Sequence, residues 1–239
     1  MLSNVYIYLI IHVSVLAYVL GVILGLGHFL SEGICRRFRH REAAISFIAG
    51  ISIAYLFLEL FPLLFREGKE VSELVFVFVM LGFLVFFIFE KYVYQHTKTK
   101  IIAREISHLH AFGFFLYHFV IGMVLAGLVK LGAGKALLFF IPALLYSLVG
   151  EVSLNEVAAA KESGVVKALL GVSSLFGVVI GSLVFIPLGV NYLLLGFLVG
   201  AFNYMVVRDS LPRNREGNLA AFASGVALYT FLITFFWII

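Results

Sequence analysis

Charge is scarce in this chain of 239 residues: Asp, Glu, Lys and Arg make up 13% of it against 63% hydrophobic residues, and the mean hydropathy is +1.11. A soluble domain carries about a quarter charged residues, so this composition excludes a soluble globular fold and leaves a membrane protein. Cysteine is scarcer still. With Cys35 alone, an intrachain disulfide is excluded, nothing suggests a cysteine-based metal site, and the thiol reads as free. The apolar stretches are continuous runs of about twenty residues, whereas a membrane barrel needs segments of about ten with alternating polarity. Since every backbone N–H and C=O in lipid must be bonded internally, this selects a helical bundle. No basic segment precedes the first run and no small-residue cleavage site follows it, so the expectation is a retained helix and not a removed signal peptide. A phosphate loop is missing as well. GVILGLG at 21–27 and GVVIGS at 177–182 lie inside apolar runs without the Lys and Ser or Thr of a P-loop, and their glycines permit close helix approach instead.

What is present is a series of apolar runs between charged or turn-forming clusters, near 5–30, 43–65, 72–94, 107–129, 135–157, 165–187, 189–207 and 218–238. Eight spans leave short loops and a single transmembrane domain over 1–239. Lys and Arg prefer cytoplasmic loops, and eight crossings sort them sharply. One side receives Arg36, Arg37, Arg39 and Arg41, then Lys91, Lys98, Lys100 and Arg104, then Lys161 and Lys167, then Arg208, Arg213 and Arg215: thirteen of seventeen. The other side receives Arg66, Lys69, Lys130 and Lys135. The expectation is therefore a multi-pass protein of the cell membrane with both termini non-cytoplasmic. The net charge of +4 is spread over loops and serves topology, so nucleic acid is not an expected partner.

Two spans match one another. GISIAYLFLELFP at 50–62 and GAFNYMVVRDSLP at 200–212 pair Gly50 with Gly200, Glu59 with Asp209 and Pro62 with Pro212, and Tyr55 falls one place from Tyr204. The second and seventh spans run in opposite directions, so the match predicts an inverted repeat, the arrangement of many secondary transporters. Spans one to three then correspond to spans six to eight around a central pair, four and five: a 3+2+3 all-α bundle. A chance recurrence of Gly and Pro, which punctuate many membrane helices, is the competing explanation.

An ionisable side chain at mid-bilayer costs roughly 2.5–3.5 kcal/mol on insertion scales, so each one calls for a reason. His12, Glu59, His118 and Glu151 lie within spans. Glu90, Glu156 and Asp209 sit near cytoplasmic ends, where they can reach water or basic loops, and Glu59 is expected to reach the outer surface in the same way. His118 and Glu151 lie several residues inside the two central spans. Imidazole plus carboxylate suits Zn²⁺ or a similar divalent ion. The alternative is a neutral imidazole bonded across helices, with Glu151 protonated or paired to His118. In EISHLH at 105–110 the two His are at i and i+2 and share no helical face, so His108 and His110 make a poor chelate. The twenty-six Phe, eleven Tyr and one Trp read as lipid-facing bulk and interface anchors.

These residues together resemble the ZIP family of divalent metal transporters. ISFIAGISIAYLFLELFPLLF at 45–65 is similar to the family's second span, LGFLVFFIFEKY at 81–92 to its third with a Glu-Lys exit, and GAFNYMVVRDSLP to its seventh. The resemblance covers nearly the whole chain. It implies two inverted three-helix units flanking two central helices, with a transition-metal ion passing between them. Departures are concentrated at the ligands. Where the family carries His-Asn-x-x-Asp-Gly, this chain has His118-Phe119-Val120-Ile121-Gly122-Met123. Where the family carries His-Glu-x-x-His-Glu, it has Tyr146-Ser147-Leu148-Val149-Gly150-Glu151. Glu59 stands where the family often has His. The resemblance thus implies His118 and Glu151 as the remaining ligands; two cannot complete a four-coordinate zinc site, and by residue type Tyr146, Ser147, Ser153, Asn155 and water are candidates for further oxygen donors.

The expected function is a ZIP-like carrier for zinc or a similar divalent ion, which is substrate and not a permanently bound cofactor. It works without ATP and is not an enzyme. Its partners are the lipid bilayer and the metal ion, and a homodimer is compatible with the pattern. A non-transporting membrane scaffold or sensor of the same fold is the rival reading, and an intramembrane acid–base enzyme using His118 and Glu151 is a third.

Overall fold

The computed structural model describes residues 2–35, 41–96, 100–157, 164–184, 186–210 and 217–238, with side chains described over 15–31, 42–92, 95–96, 113, 115–148, 168–169, 171–184, 186–207 and 217–238. Among the described residues the chain is helical, without strands. The helices are α1 (Leu2–Cys35), α2 (from Arg41 to Val71, in segments given below), α3 (Leu74–His96), α4 (Lys100–Leu131), α5 (Ala133–Val157), α6 (Gly164–Leu183), α7 (Leu188–Ser210) and α8 (Leu219–Ile238). Four of them contain stretches long and apolar enough to cross a membrane: Glu42–Val71, Leu74–Tyr92, Leu188–Val207 and Leu219–Ile238. The other four contain shorter apolar stretches, Val15–Ser31, Phe115–Leu131, Ala133–Leu148 and Gly171–Leu183. The protein is thus an all-α, membrane-embedded chain.

Two prolines shape the interior. Pro62 lies inside α2, where a missing N–H and a ring clash would break a regular helix. The chain continues by switching register: α-helix over Arg41–Tyr55, π-helix over Leu56–Leu60, α-helix over Phe61–Leu63, π-helix over Leu64–Gly68 and α-helix over Lys69–Val71. The Phe61 N–H donates to the Leu56 carbonyl and the Lys69 N–H to the Leu64 carbonyl, closing the wide turns on either side of the proline. Helix α2 therefore runs beyond the expected limit at 65. Pro142, inside α5, is accommodated differently. It cannot donate to the Leu138 carbonyl one turn back, and that carbonyl accepts instead from the Tyr229 hydroxyl of α8 at 2.6 Å. In lipid no water is at hand to do this.

The turn between α4 and α5 consists of one residue, Gly132, at φ 147°. A side chain would be strained in that conformation. It accepts from the Ala136 N–H at 3.2 Å and donates to the Leu128 carbonyl at 3.0 Å, so the two helices form a tight hairpin.

Helix pairing rests on glycine. On α2 a Cβ at Gly50 would run into the Phe222 carbonyl and the Val226 amide of α8, and one at Gly225 into the Phe47 carbonyl and Ile51 amide of α2. The α3–α7 pair repeats this: Gly82 lies on the Phe197 carbonyl and Ala201 amide, Gly200 on the Val79 carbonyl and Phe83 amide. So does α4–α6, where Gly122 lies on the Ser174 carbonyl and Val178 amide and Gly177 on the Phe119 carbonyl and Met123 amide. In each pair, both glycines meet the partner's backbone just before and just after the partner's own glycine. Small residues are what membrane helices use where backbones must touch, because dispersion and Cα–H···O contacts are available there while hydrophobic burial is not.

Helices α2 and α8 run parallel, since the Asn218 N–H donates to Ser46 Oγ at 2.9 Å at one end and Trp237 Nε1 to Glu59 Oε2 at 3.3 Å at the other. In the parallel α3–α7 pair, Gly196 lies against Val75 near one end, and the Tyr204 ring meets Phe83 and Phe87 at 5.3 and 6.1 Å further along. Helix α1 is antiparallel to α6, with Gly21 beside Val178 and Gly25 against Gly171. It wedges between α4, α5 and α6. Helices α3 and α8 form the outer edges, and their exposed faces carry Met80, Ile88, Phe231 and Ile238.

Candidate metal centre

His118 is held inside the bundle at 3% exposure. Its helix is fixed against α6 by Gly122, one turn further on. The position where the resembling family carries an acid is thus a backbone contact here, and a Cβ has nowhere to go without displacing the Ser174 carbonyl. Phe119, at the family's amide position, packs against Phe176 of α6 with ring centres 5.5 Å apart and planes tilted by 38°. Both departures from the motif are therefore packing residues of the α4–α6 crossing.

The structure brings to His118 a residue that the sequence reading passed over. His28 of α1 is 2% exposed, and its ring centre lies 4.5 Å from that of His118, with the planes tilted by 54°. A signal for it was present: His28 continues the Gly21–Gly25 stripe at i+4 and i+7, the face that packs on other helices. Gly25 meets the Gly171 carbonyl and comes within 3.7 Å of Ser174 Oγ. Both histidine-bearing helices are therefore anchored on the same turn of α6, one turn from their imidazoles. Two imidazoles at this separation can share a proton or a cation.

On the third side, Gly27 of α1 lies against Leu144 and Leu148 of α5, which sets the turn of α5 containing Ser147 level with His28. Ser147 is buried, and its hydroxyl donates to the Ala143 carbonyl at 2.8 Å, leaving its lone pairs as acceptors. Ser31 donates likewise to the His28 carbonyl at 2.7 Å. Tyr146 is buried with its ring against Phe202 at 5.9 Å. Helix α5 continues through Glu151, three residues past Leu148, but the side chain of Glu151 lies outside the described residues, as do those of Ser153 and Asn155. So do the side chains of His12, Glu105, His108, His110, Glu156 and Asp209; of these, His108 and His110 stand within α4. Among the described residues no group of three or more His, Cys, Asp or Glu is placed to hold a metal ion.

Glu59 differs from its expected role as a surface-reaching anchor. It sits in the first π-turn of α2 at 8% exposure, turned toward α8, where Trp237 Nε1 donates to it. The neighbouring Tyr55 and Tyr229 rings meet edge to face at 6.1 Å. The acid that does gather polar partners at this end of the bundle is Glu67, in the second π-turn. It accepts from the Tyr192 hydroxyl of α7 at 2.6 Å and from Lys135 Nζ of α5 at 3.0 Å, tying three helices together. Nearby, Lys130 Nζ donates to the Gly181 carbonyl at 2.9 Å. A cavity of about 20 Å³ between α4 and α7, lined by Gly127, Asn191 and Tyr192 among others, is large enough for a single water molecule.

Compared with known proteins, the chain matches no protein-family model and no curated sequence.

Proposed function

We propose that this protein is a ZIP-like carrier that moves a divalent transition-metal ion, zinc or a similar one, across the cell membrane. The observation that carries the reading is the repeated glycine crossing. Gly50 on α2 against Gly225 on α8, and Gly200 on α7 against Gly82 on α3, make the same backbone contacts in the same register. Exchanging α2 for α7 and α3 for α8 turns one pair into the other. That relation, added to the sequence match between 50–62 and 200–212, supports an inverted repeat of α1–α3 and α6–α8 around α4 and α5. The parallel packing of α2 with α8 and of α3 with α7, and the antiparallel packing of α1 with α6, are what eight successive crossings require. Inverted repeats serve alternating access, with the substrate site near the bilayer midplane at the repeat interface.

His118 on α4 and Glu151 on α5 are the ligands in this reading, with water and serine hydroxyls completing the shell. The ion is the substrate, no nucleotide drives it, no reaction is catalysed, and both termini are non-cytoplasmic. A non-transporting scaffold or sensor of the same fold is favoured by one observation, the occupation of the family's acid position by Gly122 in a tight helix contact.

Flux of Zn²⁺, Mn²⁺ and Fe²⁺ into liposomes holding the purified protein decides between them, measured beside a His118→Ala, Glu151→Gln variant. The carrier reading expects flux in the parent that falls to background in the variant. Equal background signals in both discard transport of these ions and leave the scaffold or sensor.

A further inference from the structure

We infer that His28 is a second nitrogen ligand of the ion, so that the site is a cross-helix imidazole pair, His28 with His118, that selects nitrogen-preferring divalent ions such as Zn²⁺ and Co²⁺ over Mn²⁺ and Mg²⁺. The identity of the ion rests on the carrier reading above; the pairing rests on geometry. Two imidazoles bound to one ion at about 2.0–2.1 Å per nitrogen have ring centres roughly 4.5–5.2 Å apart for metal-centred angles between about 90° and 110°. The separation here is 4.5 Å, at the near end of that range, with the ring planes tilted by 54°.

The placement is held by the fold. Gly25, three residues before His28, and Gly122, four residues after His118, bring both helices onto the Ser174 turn of α6. Neither helix can slide along α6 or rotate without breaking a backbone contact. The imidazoles therefore keep their separation. Imidazole suits Zn, Co, Ni and Cu, whereas Mn²⁺ and Mg²⁺ prefer carboxylate, carbonyl and water oxygens.

The test is Co²⁺ binding to the purified full-length protein in detergent, followed by its visible absorption, with Zn²⁺ and Mn²⁺ as competitors. The parent is expected to give Co²⁺ ligand-field bands that Zn²⁺ abolishes at a concentration at least about tenfold below that needed with Mn²⁺. His28→Gln, which keeps much of the side-chain volume, and His28→Ala are each expected to weaken Co²⁺ and Zn²⁺ binding by at least the roughly 10–100-fold that loss of a ligand's hydrogen-bond partner costs. The band positions should shift as well, which a merely structural histidine would not cause. X-ray absorption of Zn²⁺ bound to the parent needs no variant and should contain the scattering of two imidazoles; fewer than two overturns the inference. Unchanged binding and spectrum in folded His28→Gln overturns it too. Manganese flux by a parent that binds neither Zn²⁺ nor Co²⁺ sinks the imidazole pair and leaves the carrier. Binding through His28 with no flux of any of these ions does the reverse, and absence of both binding and flux discards both.

Discussion

In the proposed ZIP-like reading His118 stands at a ligand position, and one turn later Gly122 stands where that reading would place an acid. The omission has a steric cause, because Gly122 lies on the Ser174 carbonyl. Gly122→Asp, which restores the family's residue type, is therefore expected to force α4 from α6. The cost should be at least about 1–3 kcal/mol, as for other overpacked interiors, seen as a lower melting temperature in detergent and weaker Co²⁺ binding despite the added carboxylate. A stable variant with tighter binding would mean that the α4–α6 crossing is not fixed by this glycine. His118 was legible in the sequence as an ionisable group in the middle of an apolar span. His28 was harder to read, because its partner lies ninety positions away and the Gly21–Gly25 stripe that it continues marks a packed face without saying what it faces. Glu59 was misjudged for a related reason: nearness to the end of a span suggests water, while the π-turn before Pro62 directs it toward α8 and Trp237.

Among elements, the two proline-containing helices make opposite use of the same defect. Helix α2 absorbs Pro62 by widening its own turns, whereas α5 takes a hydroxyl from outside for the carbonyl that Pro142 leaves free. Tyr229→Phe should thus leave the Leu138 carbonyl without its donor, at a cost of about 1–3 kcal/mol. Restoring an N–H by Pro142→Ala in the same protein should recover most of that loss. Thermal denaturation of the two single variants and the double variant measures the coupling, and additive effects would show that the Tyr229 bond does not compensate for the proline. The helices themselves could be read from apolar run length, but the extension of α2 to Val71 could not. Pro62 ordinarily marks an ending, and only packing of Leu60 and Leu64 in the interior makes continuing the helix the better solution. The Glu67–Lys135 pair at that end is partly exposed, with 43% and 36% side-chain accessibility. It contributes little stability by itself and matters as a tether between α2 and α5.

For the molecule as a whole, the lone cysteine offers a test of orientation. Cys35 ends α1 beside four arginines within 36–41, and the distribution of basic residues predicts a cytoplasmic position for that end. In intact cells a membrane-impermeant maleimide should leave Cys35 unlabelled and a permeant one should label it. Lys69→Cys in a Cys35→Ser background, at an exposed position beside the α2–α3 turn, should react with both reagents. The reversed pattern would invert the protein. Composition, run length and charge placement act residue by residue through transfer from water to lipid, so the sequence by itself determined the membrane class, the helices and the expected direction of each crossing. The match of Gly50 with Gly200 in the sequence is what suggested an inverted repeat. Which glycine meets which backbone, and which two histidines face one another, was decided only in the tertiary structure. Those contacts join positions far apart in the chain, and their geometry depends on how closely each pair of helices can approach. At 4.5 Å between imidazoles, a shift of a single helix turn would remove the pair without changing any local feature of the sequence.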